Sequence, residues 1–349
     1  MLGRSALLAA TNSGGPPGFG VKYTDPATLP TDSGNGVAFS PTGGAIAVAH
    51  STSPFISAYP WSGSGFGVKY TNPATRPTNE GRSVAFSPAG DAIAVAHYSS
   101  PFITAYPWSG SGFGVKYTNP ATLPSGTGWG VAFSPAGDAI AVAHDNSPFI
   151  TAYPWSTMGF GTKYANPVTL PTSNCYAVVF NPTGNTLAVA SQTTPWITAY
   201  QWTFASGFGS RYTNPTTLPG DTGAGIAFSG SGNAISVANQ TASMPVIVYP
   251  WLSGSGFGVK YADPATKPAN ICNGVTFSPA GNSIAFAHYT SPYLTMYPWS
   301  SASGFGVKYA DPATLPSGTG RGVAFSPAGD AIAVAHTTTP FITVYRWNS

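Results

Sequence analysis

Charge is what this sequence most lacks. Asp, Glu, Lys and Arg together make up only 7% of its 349 residues. Long solvated helices draw on Glu, Lys and Arg, so a helical architecture is disfavoured. The balance that remains, +3, is too small to hold nucleic acid or an acidic membrane surface, and neither is expected as a partner. Long hydrophobic runs are also missing. None approaches the ~20 residues that span a bilayer, so no membrane insertion is expected. The N-terminal MLGRSALLAA holds a short apolar patch, below the roughly 7–15 apolar residues of a secretory signal. Cysteine is nearly absent. Cys175 and Cys272 cannot build a disulfide framework. What is abundant is Gly (42) and Pro (34), beside 42% hydrophobic and 13% aromatic residues, which excludes a disordered chain and suits short strands joined by tight turns.

Those strands repeat. The segment GFG recurs with its Phe at 19, 66, 113, 160, 208, 257 and 305, in steps of 47 to 49 residues. Each unit holds four short runs, typified by VAFSP, AIAVAH, SPFITAYPW and GFGVKY, each bounded by Gly, Pro or Asn. Four strands per unit of that length is the period of a propeller blade. The fold expected is all-β: a seven-bladed β-propeller over residues 18–349, with units starting near 18, 65, 112, 159, 207, 256 and 304 and an arm at residues 1–17. We label the strands A to D from the channel outwards. In strand B, Ile46, Val48 and His50 share one face and Ala45, Ala47 and Ala49 the other, so the flat Ala face can receive a neighbouring blade. The first strand of the chain is a D strand and the last an A–B–C set. The N-terminal strand should therefore complete the last blade and remove the open edge.

The string VAFSPAGDAIAVA…FITAYPW resembles WD-repeat-like propeller units, although the Gly-His and Trp-Asp dipeptides of that family are absent. Units this regular also look like those of phage-encoded propellers. That resemblance implies a virion component, and an extracellular or virion location.

Side chains that could carry chemistry mostly have structural readings. All five histidines (His50, His97, His144, His288 and His336) end strand B. Stacked sheets lie roughly 10 Å apart, whereas zinc holds His nitrogen at about 2 Å, so equivalent histidines cannot share an ion. They are expected to pin their own blade, and no metal or cofactor is expected. Lys22, Lys69, Lys116, Lys163, Arg211, Lys260 and Lys308 occupy one outer position, where a cation blunts edge pairing. Asp25, Asp263 and Asp311 sit at an Asx-Pro step and Asp91, Asp138 and Asp330 in the A–B turn, as turn formers. No nucleophile–base–acid set, phosphate loop or ligand cluster is present, and no catalytic residue is expected. Cys175 and Cys272 lie three residues before the expected start of strand A in units separated by one blade, and should be free thiols. The Tyr and Trp of strand C, such as Tyr59 and Trp61, are either inter-blade packing or seven equal sugar sites of a multivalent lectin.

The copies disagree in informative places. Gly112–His144 and Gly304–His336 differ at three positions, one of them Trp129 against Arg321. The full row reads Asn35, Arg82, Trp129, Tyr176, Ala224, Asn273 and Arg321. A core position would not accept Arg, Trp and Ala in turn. A second row follows strand B: Ser51, Tyr98, Asp145, Gln192, Gln240, Tyr289 and Thr337. Topology puts both rows on one rim, at the mouth of the central channel. The expected binding residues are Asn35, Arg82, Trp129, Tyr176, Asn273, Arg321, Tyr98, Asp145, Gln192 and Tyr289. The layout suggests a non-enzymatic adhesion or receptor-binding module whose partner is a cell-surface glycan or protein, with residues 1–17 docking it to an assembly. The alternatives are the lectin or a purely structural, decorating protein.

Overall fold

The computed structural model describes residues 17–349; the arm expected at 1–17 lies, but for Pro17, outside them. The described residues form seven four-stranded antiparallel sheets and no helix. Blades 1 to 6 span 34–66, 81–113, 128–160, 175–211, 223–257 and 272–305. Blade 7 takes its A, B and C strands from 320–348 and its outer strand, Gly18–Lys22, from the other end of the chain. Strand A of each blade lies beside strand A of the next, and Gly320–Phe325 of blade 7 returns to Gly34–Phe39 of blade 1. The approach is close: a Cβ on Gly36 would sit 3.1 Å from the backbone of Arg82 and Ser83 in blade 2.

Blade-to-blade packing follows the alternation in strand B. Ala92, Ala94 and Ala96 of blade 2 receive Ile140 and Val142 of blade 3, and Ala331, Ala333 and Ala335 of blade 7 receive Ile46 and Val48 of blade 1. Every strand-B residue is buried, so both sheet faces are core. The strand-C tryptophans lock the outer part. Trp61 meets Phe66 and Phe39 of its own blade at 5.1 and 5.4 Å, and Tyr23 of blade 7 at 4.9 Å, all edge-to-face.

Two expected boundaries shift. Strand A begins three residues early, at Gly34 in blade 1, which makes Cys175 and Cys272 its first residue in blades 4 and 6. Strand D is only two residues long in five blades, for example Gly65–Phe66, and five residues long in blades 4 and 7 (Gly207–Arg211 and Gly18–Lys22). Proline explains the split. Strand C carries Pro60, Pro107, Pro154, Pro250 and Pro298 in the five short cases, and Gln201 and Arg346 in the two long ones. Proline has no N–H for the ladder, and pairing stops beside it.

The outer cations all find partners. Lys22 and Lys308 pair with Asp25 and Asp311 at 2.6 Å, Lys260 pairs with Asp263, and Arg211 donates to Asn214 at 2.6 Å. Lys69, Lys116 and Lys163 donate to Asn72, Asn119 and Asn166. The row is thus tied locally to its own Asx-Pro step and leaves no open basic stripe.

Candidate functional site

The first variable row, the second residue of each strand A, is a row of β-bulges. Gly34 pairs with His50 and Gly36 with Ala49, leaving Asn35 as the extra residue, and the same shift recurs in all seven blades. A bulge frees its residue from the ladder and re-aims the side chain. Here the aim is the channel. Asn35, Arg82, Trp129, Tyr176, Ala224, Asn273 and Arg321 surround one cavity of about 390 Å³, joined by Gln240, Ile271, Tyr289 and Thr319. A narrower space of about 220 Å³ continues beneath it, walled by the strand-A valines and isoleucine, including Val37 and Val131.

The second variable row is tied by its backbone to the residue just before strand A. The amide of Tyr98 donates to the carbonyl of Glu80, that of Gln240 to Thr222 and that of Tyr289 to Ile271, at 2.9–3.1 Å. The strand-B row and the residue preceding strand A therefore share an edge of the disc. Of the expected binding residues, Asn35, Arg82, Trp129, Tyr176, Asn273, Arg321 and Tyr289 line the cavity. Tyr98 stands behind Arg82, and Asp145 and Gln192 are not on the wall. Ile271 and Thr319 escaped the sequence reading. Their row reads Ser33, Glu80, Thr127, Asn174, Thr222, Ile271 and Thr319, and its lone Ile and Glu were the signal.

Around the mouth the chemistry is segregated. Blades 7, 1 and 2 present Arg321, Asn35 and Arg82 in succession. Arg82 Nη2 pairs with Glu80 at 2.9 Å. Glu80 also accepts from Asn35 Nδ2 at 2.9 Å and from Ser51 Oγ at 3.0 Å. The guanidinium of Arg82 stacks 4.3 Å from the Trp129 ring centroid and 5.6 Å from that of Tyr98. Burial lowers its pKa and Arg321 lowers it further, against the pull of Glu80. It stays charged nonetheless. Arg321 is exposed and has no ion pair or hydrogen bond among the described residues. Blades 3 and 4 present Trp129 and Tyr176, edge-to-face at 5.1 Å. Blade 5 presents Ala224 from its bulge and Gln240 from just after strand B. Asn35 and Asn273 each donate to the first strand-A carbonyl of the next blade, Gly81 and Gly320, at 2.9 Å.

The histidines pin their blades. Nε2 of His50, His97, His144, His288 and His336 lies 2.8–3.0 Å from the hydroxyl of Ser57, Thr104, Thr151, Thr295 and Thr343. Burial pushes each imidazole down to about 4. Cys175 and Cys272 are free and fully buried, with burial raising both thiols. The strand-C tryptophans are only 2–8% exposed and the tyrosines are buried, with Tyr59 Oη donating to Thr28 O at 2.8 Å. That packing leaves no open aromatic face at the seven equivalent positions a multivalent lectin would use.

No protein-family model and no curated protein matches the sequence. Among solved structures the chain is similar to a hydrazine synthase chain of Kuenenia stuttgartiensis, with a TM-score of 0.68 at 15% identity, covering 92% of this chain and 97% of that one. At that identity the likeness extends to the propeller fold alone. It lends no support to the WD-repeat or phage part of the resemblance read from the repeats.

Proposed function

We propose that this propeller is a non-enzymatic recognition module that binds its partner through the variable rim. A single observation supports this: the seven bulge residues, which differ most sharply between otherwise matching units, converge on one cavity. A rigid repeated frame carrying diversified loops at one end is how recognition surfaces are usually built. Arg, Trp and Tyr are also the residue types that dominate binding energy. On this reading the partner is a surface receptor, and the chain serves in adhesion, as a phage virion component would.

The test is capture. The wild-type protein retains surface material from its native host, and the triple variant Trp129→Ala, Tyr176→Ala, Arg82→Ala loses it while keeping a cooperative thermal unfolding transition. Undiminished capture by the folded triple variant would remove the basis for the reading.

A further inference from the structure

The channel mouth has a basic wall facing an aromatic wall, and that division says what it can hold. Arg321 is exposed at the mouth and unpaired among the described residues. Arg82 is half-buried and already carries Glu80. Two guanidinium groups and one carboxylate leave a single positive charge unmatched, inside a cleft whose low-dielectric walls concentrate its field. Unmet hydrogen-bonding capacity gathers where the two walls meet, at the Arg82–Trp129 stack. Arg82 Nε, Trp129 Nε1 and Asn35 Oδ1, on three consecutive blades, are buried without a partner. Such groups are costly to bury and few in folded proteins. Across the cavity, Trp129 and Tyr176 offer apolar ring surface, while Gln240, Asn273 and Thr319 add amide and hydroxyl groups at the rim. A volume of about 390 Å³ is at the small end of ligand pockets.

We propose that this cavity binds the carboxylate-bearing end of an acidic sugar, with the carboxylate on Arg321 and the sugar's C–H face against the aromatic wall. The proposal rests on the recognition reading above and gives its ligand a chemical class. A monoanion matches the single unmatched charge. Guanidinium is planar and suits a carboxylate bidentately. Hydroxyl groups suit the amide and hydroxyl rim, and a pyranose ring fits the space. One site per molecule results, in place of seven.

The probe is D-glucuronate, with D-glucose as the neutral ring and inorganic phosphate as the bare anion, each titrated calorimetrically into the full chain. Glucuronate is expected to bind at least tenfold more tightly than glucose and than phosphate. Arg321→Gln, at an exposed position, is expected to keep the melting temperature and abolish that preference. Equal binding of glucose and glucuronate, equal binding of phosphate, no heat with any probe, or an unchanged preference in Arg321→Gln would each overturn the proposal. None of those results touches the capture experiment. A protein that ignores glucuronate yet loses its host partner in the triple variant keeps the recognition reading and loses only the acidic sugar.

Discussion

The guanidinium of Arg82 in blade 2 lies 4.3 Å from the ring centroid of Trp129 in blade 3, and Trp129 in turn meets Tyr176 of blade 4 edge-to-face at 5.1 Å. One contact chain thus links three blades at the channel mouth. The corresponding residue of blade 7 is Arg321, in a stretch otherwise nearly identical to that of blade 3. The same strand position thus carries a stacked Trp in blade 3 and an exposed Arg in blade 7.

Replacing Trp129 by Arg, as blade 7 has it, removes the stack and places a third guanidinium beside Arg82, in the cavity that Arg321 also lines. Stability should fall by about 1–3 kcal/mol, from the lost cation–π and aromatic contacts together with repulsion. Only the repulsive part is screened by salt. Urea unfolding at 20 mM and 500 mM NaCl separates the two, with the Trp129→Arg deficit narrowing at high salt and that of Trp129→Ala staying fixed. A Trp129→Arg deficit that ignored salt would place the three cations too far apart to interact.

The five buried histidines make stability depend on acidity. Their folded pKa, about 4, is below the ordinary 6.5, so the unfolded chain binds more protons between those values. Stability is then full above pH ~6.5 and falls as the pH drops towards 4, by up to roughly 3 kcal/mol per histidine. Blade 5 shows how to remove one contribution, since Asn239 and Ile247 replace the His and Thr together. The double variant His144→Asn, Thr151→Ile should show a shallower loss of urea midpoint between pH 7 and pH 4.5. A parallel pair of pH profiles would contradict the assignment.

Blade 4 lost its histidine and kept its threonine. Ser191 stands where the histidines stand, and Thr198 Oγ1 is left buried without a partner. Ser191→His should restore the missing bond and stabilise by about 1 kcal/mol. Thr198→Val, which deletes the orphan hydroxyl, should be neutral or slightly stabilising. Thr151→Val in blade 3 strands His144 and should cost about 1–3 kcal/mol. Comparing the three denaturation midpoints tests the hydrogen bond directly, and equal costs for Thr198→Val and Thr151→Val would dismiss it.

Much of this was legible because the chain repeats. Blade number, the Ala face and the closing N-terminal strand followed from period 2 within strands and the 47-to-49-residue step between units. The bulge was not legible. The alternation of strand A points to Val37 as its start, and only the pairing of Gly34 with His50 shows that the ladder resumes beyond Asn35. The rim was found as a set of positions, but which residues reach the cavity depends on bulge geometry. Asn35 and Arg321 point in, while Asp145 and Gln192, on the second row, do not line it. The short D strands could have been read from Pro60 and its equivalents, since a residue without an N–H ends pairing on its partner strand as well as on its own.

That last rule makes ring closure testable. Blade 7 is held shut by Gly18–Lys22 pairing with strand C of the same blade, and no hairpin ties the two. Arg346 occupies the position that is proline in five other blades, so its N–H is available where theirs is not. Its side chain also lies 5.3 Å from the Tyr23 ring centroid and donates to Gly63 O in blade 1 at 3.2 Å. Arg346→Gln removes those side-chain contacts but keeps the N–H, and should cost less than about 1 kcal/mol, as a surface contact does. Arg346→Pro removes both, and should shorten the closing strand to the two-residue form. The expected cost is about 2–3 kcal/mol. Gln201→Pro makes the same backbone change in blade 4, where a covalent C–D turn holds the strand in place, and should cost less. The readout that separates closure from general destabilisation is hydrogen exchange. The Tyr23 amide, which donates to Val344 O at 2.8 Å, should exchange faster in Arg346→Pro, while the equivalent Tyr117 amide of blade 2, which donates to Ala105 O at 3.0 Å, keeps its protection. Uniform acceleration across all seven blades would show that the ring is not shut by this strand.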